Sequence, residues 1–320
     1  MNIKIPLSCT AVAPSSTANL GPGYDVFGLG LDAFEDMVKI AKNPDRSRQI
    51  SIEMVGEFGK LIPSHVEANS AGLVVKKMSK DFDINYGLEI NVVKRVPAGF
   101  GMGSSAASAA AAAVAFDRLF NLKIEKTKLV EYAAEGEIAS AGTKHYDNVS
   151  GSILGGFVIV RTNPQLEFIR IDPPKDLVFV IAIPLIKIPE RKTEFARSVL
   201  PKKVPLNSVI HNVSNATTIV AGFILKDIRM IAKGIDDIIV EPARKHLIPG
   251  YDAVKKNALE SGALAVTISG AGPSMISFLK TGKNGKLVAE SMAAGFSEVK
   301  VKSRTFVCHA SSGAKVVSIK

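Results

Sequence analysis

The sequence predicts an α+β protein of two domains, and three observations carry that prediction. Strand-like and helix-like stretches interleave along the whole chain rather than segregating into halves. A chain of 320 residues with 47% hydrophobic content exceeds what one core usually encloses. Residues 162–174, polar and holding three prolines, interrupt the pattern near the middle, which places one domain at 1–165 and a second at 166–320.

Residues 3–12 alternate as an outer strand, and residues 1–6 run straight into it without a signal-peptide pattern. The strand delivers a loop, residues 13–25, rich in Pro, Ser, Asn and Gly. Residues 28–41 and 49–55 read as strands of one sheet, joined by the charged turn 43–48. Residues 69–78 form a short helix with Asn69 as its cap. Leu88, Ile90 and Val92 then alternate with Glu89 and Asn91, a strand signal, and from Ser104 onward the composition turns to alanine, a helix signal. Between them lies a glycine loop, Pro97-Ala98-Gly99-Phe100-Gly101-Met102-Gly103. Residues 96–116 carry no charge, yet the proline, three glycines and three serines leave only 106–116 convincingly apolar, too short to cross a membrane.

The pattern continues with a helix over 127–140, capped by Thr127, with an apolar stripe of Leu129, Tyr132 and Ala133. His145 and Asn148, three residues apart in the following loop, face one pocket, and residues 151–160 read as a glycine-rich strand pair. Residues 177–183 are apolar throughout and of strand length, so they lie in a buried sheet. A helix over 190–200 takes Thr193 as cap, carries Arg197 one turn on and stops at Pro201. Residues 207–233 read as one long helix, and 264–279 as strand, glycine turn, strand. A helix over 287–294 and two further strands from Glu298 complete the chain, with no internal repeat.

The glycine loop is the chemical centre of the sequence. Its glycines admit φ > 0 and close approach of a bulky group, while Ser104 and Ser105 are N-cap candidates for the helix they open. A helix N-terminus offers unpaired N–H groups and partial positive charge, which together make a cradle for phosphate. No lysine follows the glycines, which excludes a P-loop. Gly101-x-Gly103-x-x-Ala106 fits a loose dinucleotide fingerprint, but a second helix capped by Thr127 stands where that motif needs a strand ending in an acid. An ordinary glycine turn before a packing helix remains open at this point.

Pro97-x-x-x-Gly101-x-Gly103-Ser104-Ser105-Ala106-Ala107 resembles the central ATP motif of the GHMP small-molecule kinases, with Met102 where leucine is usual. Residues 13–25, read as APSSTANLGPGYD, resemble that family's first motif, and Ile268-Ser269-Gly270-Ala271-Gly272-Pro273-Ser274 its third. The three stretches stand in the family's order over almost the whole chain. The resemblance implies a two-layer N-terminal GHMP domain followed by a ferredoxin-like C-terminal domain, with ATP in the cleft between them.

It also implies roles. Residues 97–107 hold the phosphates, including Ala98, Phe100, Ala106 and Ala107, while Asn69 and Lys94 meet the adenosine end of ATP. Mg2+ bound to ATP needs only one or two protein oxygens, and the resemblance selects Ser105 and Glu137 among three nearby glutamates. Asn19 and Asp25 serve the substrate side, although an Asx turn is the commoner role for either residue alone. Asn148 stands where mevalonate and galactose kinases place a catalytic aspartate, so Asn148, His145 and Arg197 form the catalytic group and transfer proceeds without a dedicated base. Asp147 is expected to point away if Asn148 points in. Thr193, Arg197, Arg244 and Gly270 complete the amino-acid site, the two arginines gripping a carboxylate bidentately.

The formal net charge of +10 calls for a comparison with nucleic-acid binding proteins, but the lysines are dispersed and aromatics make up only 6%. Diffuse solvated charge, which also steers anionic nucleotides, fits better. Cys9 and Cys308 have no metal spacing and read as reduced core residues of a cytoplasmic protein. The expectation is an ATP- and Mg2+-dependent kinase of a small amino-acid alcohol, L-homoserine, with no nucleic-acid or membrane partner; another alcohol such as shikimate or mevalonate is the alternative. Family members often form homodimers.

Overall fold

A computed structural model of the chain describes residues 6–45, 48–189, 192–281 and 284–320. Residues 3–5 of the first expected strand, 46–47 of the charged turn and 190–191 of the helix expected over 190–200 lie outside that set.

The elements run in the order β1 (Ser8–Asn19), β2 (Gly23–Asn43), β3 (Ile50–Val55), α1 (Ser70–Asp81), β4 (Gly87–Val93), α2 (Ser104–Phe120), α3 (Lys126–Glu135), α4 (Ile138–Ala141), α5 (Tyr146–Leu154), β5 (Phe157–Arg161), β6 (Glu167–Ile171) and β7 (Leu177–Pro184). There follow α6 (Lys192–Ser198), α7 (Leu206–Leu225), α8 (Ile228–Lys233), α9 (Val240–Arg244), α10 (Tyr251–Glu260), β8 (Ala265–Ile268), β9 (Met275–Lys280), α11 (Gly285–Glu298), β10 (Ser303–Cys308) and β11 (Lys315–Ile319). One sheet has the order β11-β1-β2-β4-β3, with β5 and β6 joined to β2; the other, β10-β7-β9-β8, is antiparallel throughout. β6 and β11 belong to the first sheet although they lie beyond residue 165.

Several local expectations are corrected by packing. β1 is internal, hydrogen-bonded to β2 on one side and β11 on the other, and it extends through most of the expected loop, to Asn19. β2 and β3 share a sheet without touching, because β4 inserts between them. The helix over 127–140 breaks at Gly136 into α3 and α4, and Glu125 rather than Thr127 takes the N-cap position. Residues 146–154 are helix α5, not a strand; a Cβ on Gly151 would lie 3.0 Å from the Leu29 backbone, so the glycines there let the helix settle on β2. The helix over 207–233 is divided at Lys226, which adopts φ +58°, after which the Asp227 carboxylate caps α8 at Arg229 N and Met230 N. Thr193 lies inside α6, one residue past its start, so it is not the cap.

Three apolar cores hold the layers together. The first packs β1, β2 and β4 against α1, α2, α3 and α5. α2 is enclosed on nearly every side, with Ala109–Ala113 fully buried, which explains its alanines: only small side chains let four neighbours approach one helix. β7 is buried on both faces for a different reason. Val178, Val180 and Ala182 face α10 and α11, whereas Leu177, Phe179 and Ile181 enter a core shared with Leu29 of β2, Phe157 of β5 and Phe223 of α7. That shared core fixes the two sheets to each other. Among the described residues one helix, α7, is long and apolar enough to cross a membrane by length and composition, and only 22% of its apolar window is buried.

Candidate active site

A cleft of about 660 Å³ runs from the glycine loop to the start of α5 and the face of α6. At its phosphate end the loop takes left-handed backbone at Gly101 and Gly103, with φ +76° and +62°. A Cβ on Gly101 would lie 2.2 Å from the Ser269 carbonyl oxygen, and one on Gly103 1.9 Å from Ser16 Oγ, so glycine is required at both by close approach as well as by φ. Gly103 itself takes the N-cap position of α2. Ser104 and Ser105, expected as caps, are engaged elsewhere: Ser104 Oγ donates to the Val96 carbonyl at 2.9 Å and Ser105 Oγ to Glu137 Oε1 at 2.5 Å.

Beneath the loop lies a network that the sequence reading missed. Lys94 forms an ion pair with Asp36, and its ammonium also donates to the Ser104 carbonyl and to Ser108 Oγ. Asp36 in turn accepts the backbone N–H groups of Arg95 and Val96, each at 2.9 Å. Every donor of Lys94 is therefore occupied in binding β2, β4 and α2 together. Asn69 caps α1 through Oδ1, which accepts from Ala71 N and Gly72 N, while its Nδ2 donates to the Pro63 carbonyl. Lys94 and Asn69 line the cleft as its frame.

The Ser105 hydroxyl and Glu137 carboxylate meet at the cleft wall, with His145 Nδ1 4.0 Å from Glu137 Oε2. Burial raises the Glu137 carboxyl to about 7, opposed by the Ser105 hydrogen bond and reinforced by the charge of Asp147. A buried carboxylate with a hydroxyl beside it is a donor set that fits Mg2+, which keeps waters and phosphate oxygens as its remaining ligands. Among the described residues no group of three or more His, Cys, Asp or Glu is placed to hold a metal without such help.

Asn148 enters the cleft from the first turn of α5 and accepts a hydrogen bond from Ser16 Oγ at 3.1 Å. Asp147 does not turn away: it lines the same cleft, accepting from Asn148 N at 2.7 Å and Asn148 Nδ2 at 3.3 Å. The cleft wraps around the end of α5, and a carboxylate there is favoured by the helix dipole. Burial, then the charge of Asp25, raises the Asp147 carboxyl to about 6. His145 has its pKa lowered, by burial and by Arg197.

At the other end Asn19 Nδ2 donates to the Gly270 carbonyl at 2.8 Å and its Oδ1 receives Asp25 N at 3.1 Å. Asn19 and Asp25 both hold left-handed backbone, φ +72° and +58°, an uncommon conformation that positions both side chains. Arg197 grips the Asp25 carboxylate with two bonds of 2.7 and 3.0 Å. Arg244 is buried, donating to the Ala196 carbonyl at 2.9 Å and to the Gly270 carbonyl at 3.4 Å. Both guanidinium groups lie over the ring of Tyr24, 5.3 and 5.2 Å from its centre. Tyr24 was legible only as part of a motif. Thr193 also lines this end, and each arginine is already hydrogen-bonded within the protein, Arg197 to Asp25 and Arg244 to the Ala196 carbonyl.

Two family models match the chain, the GHMP kinases N terminal domain over residues 69–156 and the GHMP kinases C terminal domain over residues 219–298. The chain belongs to the GHMP kinase family. GHMP kinases use ATP as phosphate donor, generally with Mg2+. Within the family, the chain is 38% identical over 307 residues to a homoserine kinase of Thermoplasma acidophilum, covering 96% of each. It is 34% identical to a homoserine kinase of Chlorobaculum tepidum, over 97% of this chain and 98% of that one. A crystal structure of homoserine kinase from Cytophaga hutchinsonii superposes with a TM-score of 0.91 at 33% identity, covering 99% of both chains. A mevalonate kinase from L. major, at 14% identity and a TM-score of 0.71, shares the fold.

Proposed function

We propose that this GHMP kinase transfers the γ-phosphoryl group of ATP to the side-chain hydroxyl of L-homoserine, giving O-phospho-L-homoserine on the route to threonine. The observation that carries this reading is the charge arrangement at the acceptor end. Asp25, Arg197 and Arg244 converge within one pocket that opens onto the glycine loop. A zwitterionic amino acid matches it: its ammonium replaces Arg197 on Asp25, and its carboxylate takes the freed guanidinium together with Arg244. Mevalonate and shikimate carry no ammonium to take the place of Arg197 on Asp25.

The phosphates lie on the N–H groups of the glycine loop and the α2 N-terminus. Ser105 and Glu137 would hold Mg2+, which would supply neutralising charge to the phosphate oxygens. Asn148 orients the acceptor hydroxyl, and His145 closes the pocket wall beside Glu137. The hydroxyl oxygen bonds to the γ-phosphorus as the bridging P–O bond breaks and ADP leaves with the electron pair. The hydroxyl proton becomes acidic only as the new bond forms and passes to a phosphate oxygen or to solvent, so positioning and electrostatics suffice without a base. A cytoplasmic location belongs to the same reading.

A coupled ADP-release assay with ATP and Mg2+ against homoserine, serine, shikimate, mevalonate and galactose tests it. Turnover with homoserine alone is expected; turnover with another alcohol overturns the substrate assignment. A large loss in Asp147→Asn with little in Asn148→Ala overturns base-free transfer.

A further inference from the structure

Among the described residues four cations line the cleft, Lys94, Lys192, Arg197 and Arg244, and they differ in how they are neutralised. Lys94 is paired with Asp36 and Arg197 with Asp25. Arg244 packs its guanidinium against Tyr24 and two carbonyls. Lys192 has neither a carboxylate nor a ring: its Nζ donates to the Gly272 carbonyl, and among the described residues no carboxylate pairs with it. An ammonium has three donors and a charge, and holding it at a half-enclosed site with one neutral partner is unfavourable. Burial, and then the repulsion of Arg244, push it down to about 7.

Its position gives that arrangement a use. Gly272 lies in the turn that packs on the glycine loop: Ser269 Oγ donates to the Gly101 carbonyl at 2.8 Å, and a Cβ on Gly101 would lie 2.7 Å from the Gly272 oxygen. Lys192 Nζ is therefore beside the phosphate loop, while its backbone belongs to the same short helix as Arg197. The ammonium thus lines the same cleft as the glycine loop and the two arginines.

We propose that Lys192 is a catalytic residue of the transfer, leaving the Gly272 carbonyl to bind the non-bridging oxygens of the phosphoryl group as it passes from ATP to the acceptor hydroxyl. This rests on the kinase reading above. Lys192 forms no covalent bond and keeps its protons; the bonds made and broken are those at phosphorus already described. A tetrahedral dianion supplies the counter-charge that Lys192 lacks, and a preorganised cation at that point stabilises charge on the moving group. The sequence reading passed over it because a lysine between Arg191 and Thr193 looks like any surface charge.

The test compares Lys192→Met and Lys192→Arg with the wild type in kcat, in KM for homoserine, and in calorimetric affinity for Mg·ADP and for a non-hydrolysable Mg·ATP analogue. Lys192→Met is expected to lower kcat about 100-fold, the usual effect of removing one such charge-stabilising donor. It is also expected to weaken the ATP analogue while leaving ADP unchanged, with Lys192→Arg recovering part of both. A rise in homoserine KM at unchanged kcat overturns the proposal in favour of a contact with the acceptor's carboxylate. Equal effects on ADP and analogue overturn it in favour of a structural tie between α6 and the turn. Should Lys192→Met not fold, Lys192→Arg and Lys192→Gln carry the same comparison. If the wild type does not phosphorylate homoserine, the substrate reading fails, while the ADP-against-analogue comparison still decides Lys192.

Discussion

The two ends of the cleft hold their charges in opposite ways. At the phosphate end, Lys94 and Asp36 are 2% and 0% exposed and every polar atom is matched by protein. At the acceptor end, Arg197 and Asp25 are 34% and 42% exposed and are bonded directly to each other at the cleft surface, where a ligand can compete for either partner. A buried, fully bonded pair fixes geometry, whereas an exposed pair is worth only about 0–1 kcal/mol and yields to a competing ligand. The difference teaches that the phosphate site is built before the nucleotide arrives, while the acceptor site is kept neutral by a pair that the substrate exchanges.

The largest expected effect is at the rigid end. Lys94→Ala leaves Asp36 buried and unpaired, which costs about 3–5 kcal/mol and lowers the thermal midpoint without selective loss of homoserine affinity. A variant with wild-type stability and a raised ATP KM alone would return Lys94 to direct nucleotide contact. Asp147→Asn is next. Because burial raises the Asp147 carboxyl to about 6, the folded protein holds that proton more tightly than the unfolded chain. Native stability therefore falls as pH rises from about 4 to 6 and stays reduced above, by about 2–3 kcal/mol. The asparagine variant is expected to melt higher than wild type at pH 8 and to converge with it at pH 4; an equal difference at both pH values would remove the explanation.

At the exchangeable end, Arg244→Lys loses the planar fork and is expected to raise homoserine KM about 10- to 100-fold, equivalent to 1.5–3 kcal/mol of charged hydrogen bonding, with ATP KM unchanged. Parallel changes in both KM values would contradict separate ends. Smallest is Asn69→Ala, which removes the α1 cap and costs about 1 kcal/mol, read as a shift in denaturation midpoint, while Asn69→Asp retains most of it.

The sequence carried what is local. Asn69 as a cap, the alternation into the glycine loop, the alanines of α2 and the apolar run of β7 are all short-range patterns, and the structure keeps them. What it hid is long-range or permissive. Asp36 is 58 residues from Lys94, and Arg197 is 172 from Asp25, so no spacing announces either pair. Helix α5 was hidden because Ser150, Gly151 and Ser152 suit a turn as well as a helix, and only contact with β2 decides. The break before α8 had a readable signal in Asp227, a good cap placed inside an apolar run.

The pairing of β11 with β1 reaches beyond catalysis. β1 bears Ser16 and Asn19, and over Cys9–Val12 its outer hydrogen bonds are made by β11, although every strand of the second sheet lies between β1 and β11 in the sequence. Until that distant segment returns, the outer edge of β1 is open to pairing with other strands, and its closure carries a large loop-closure cost. A chain whose 315–319 segment is displaced is thus expected to present that edge to other chains.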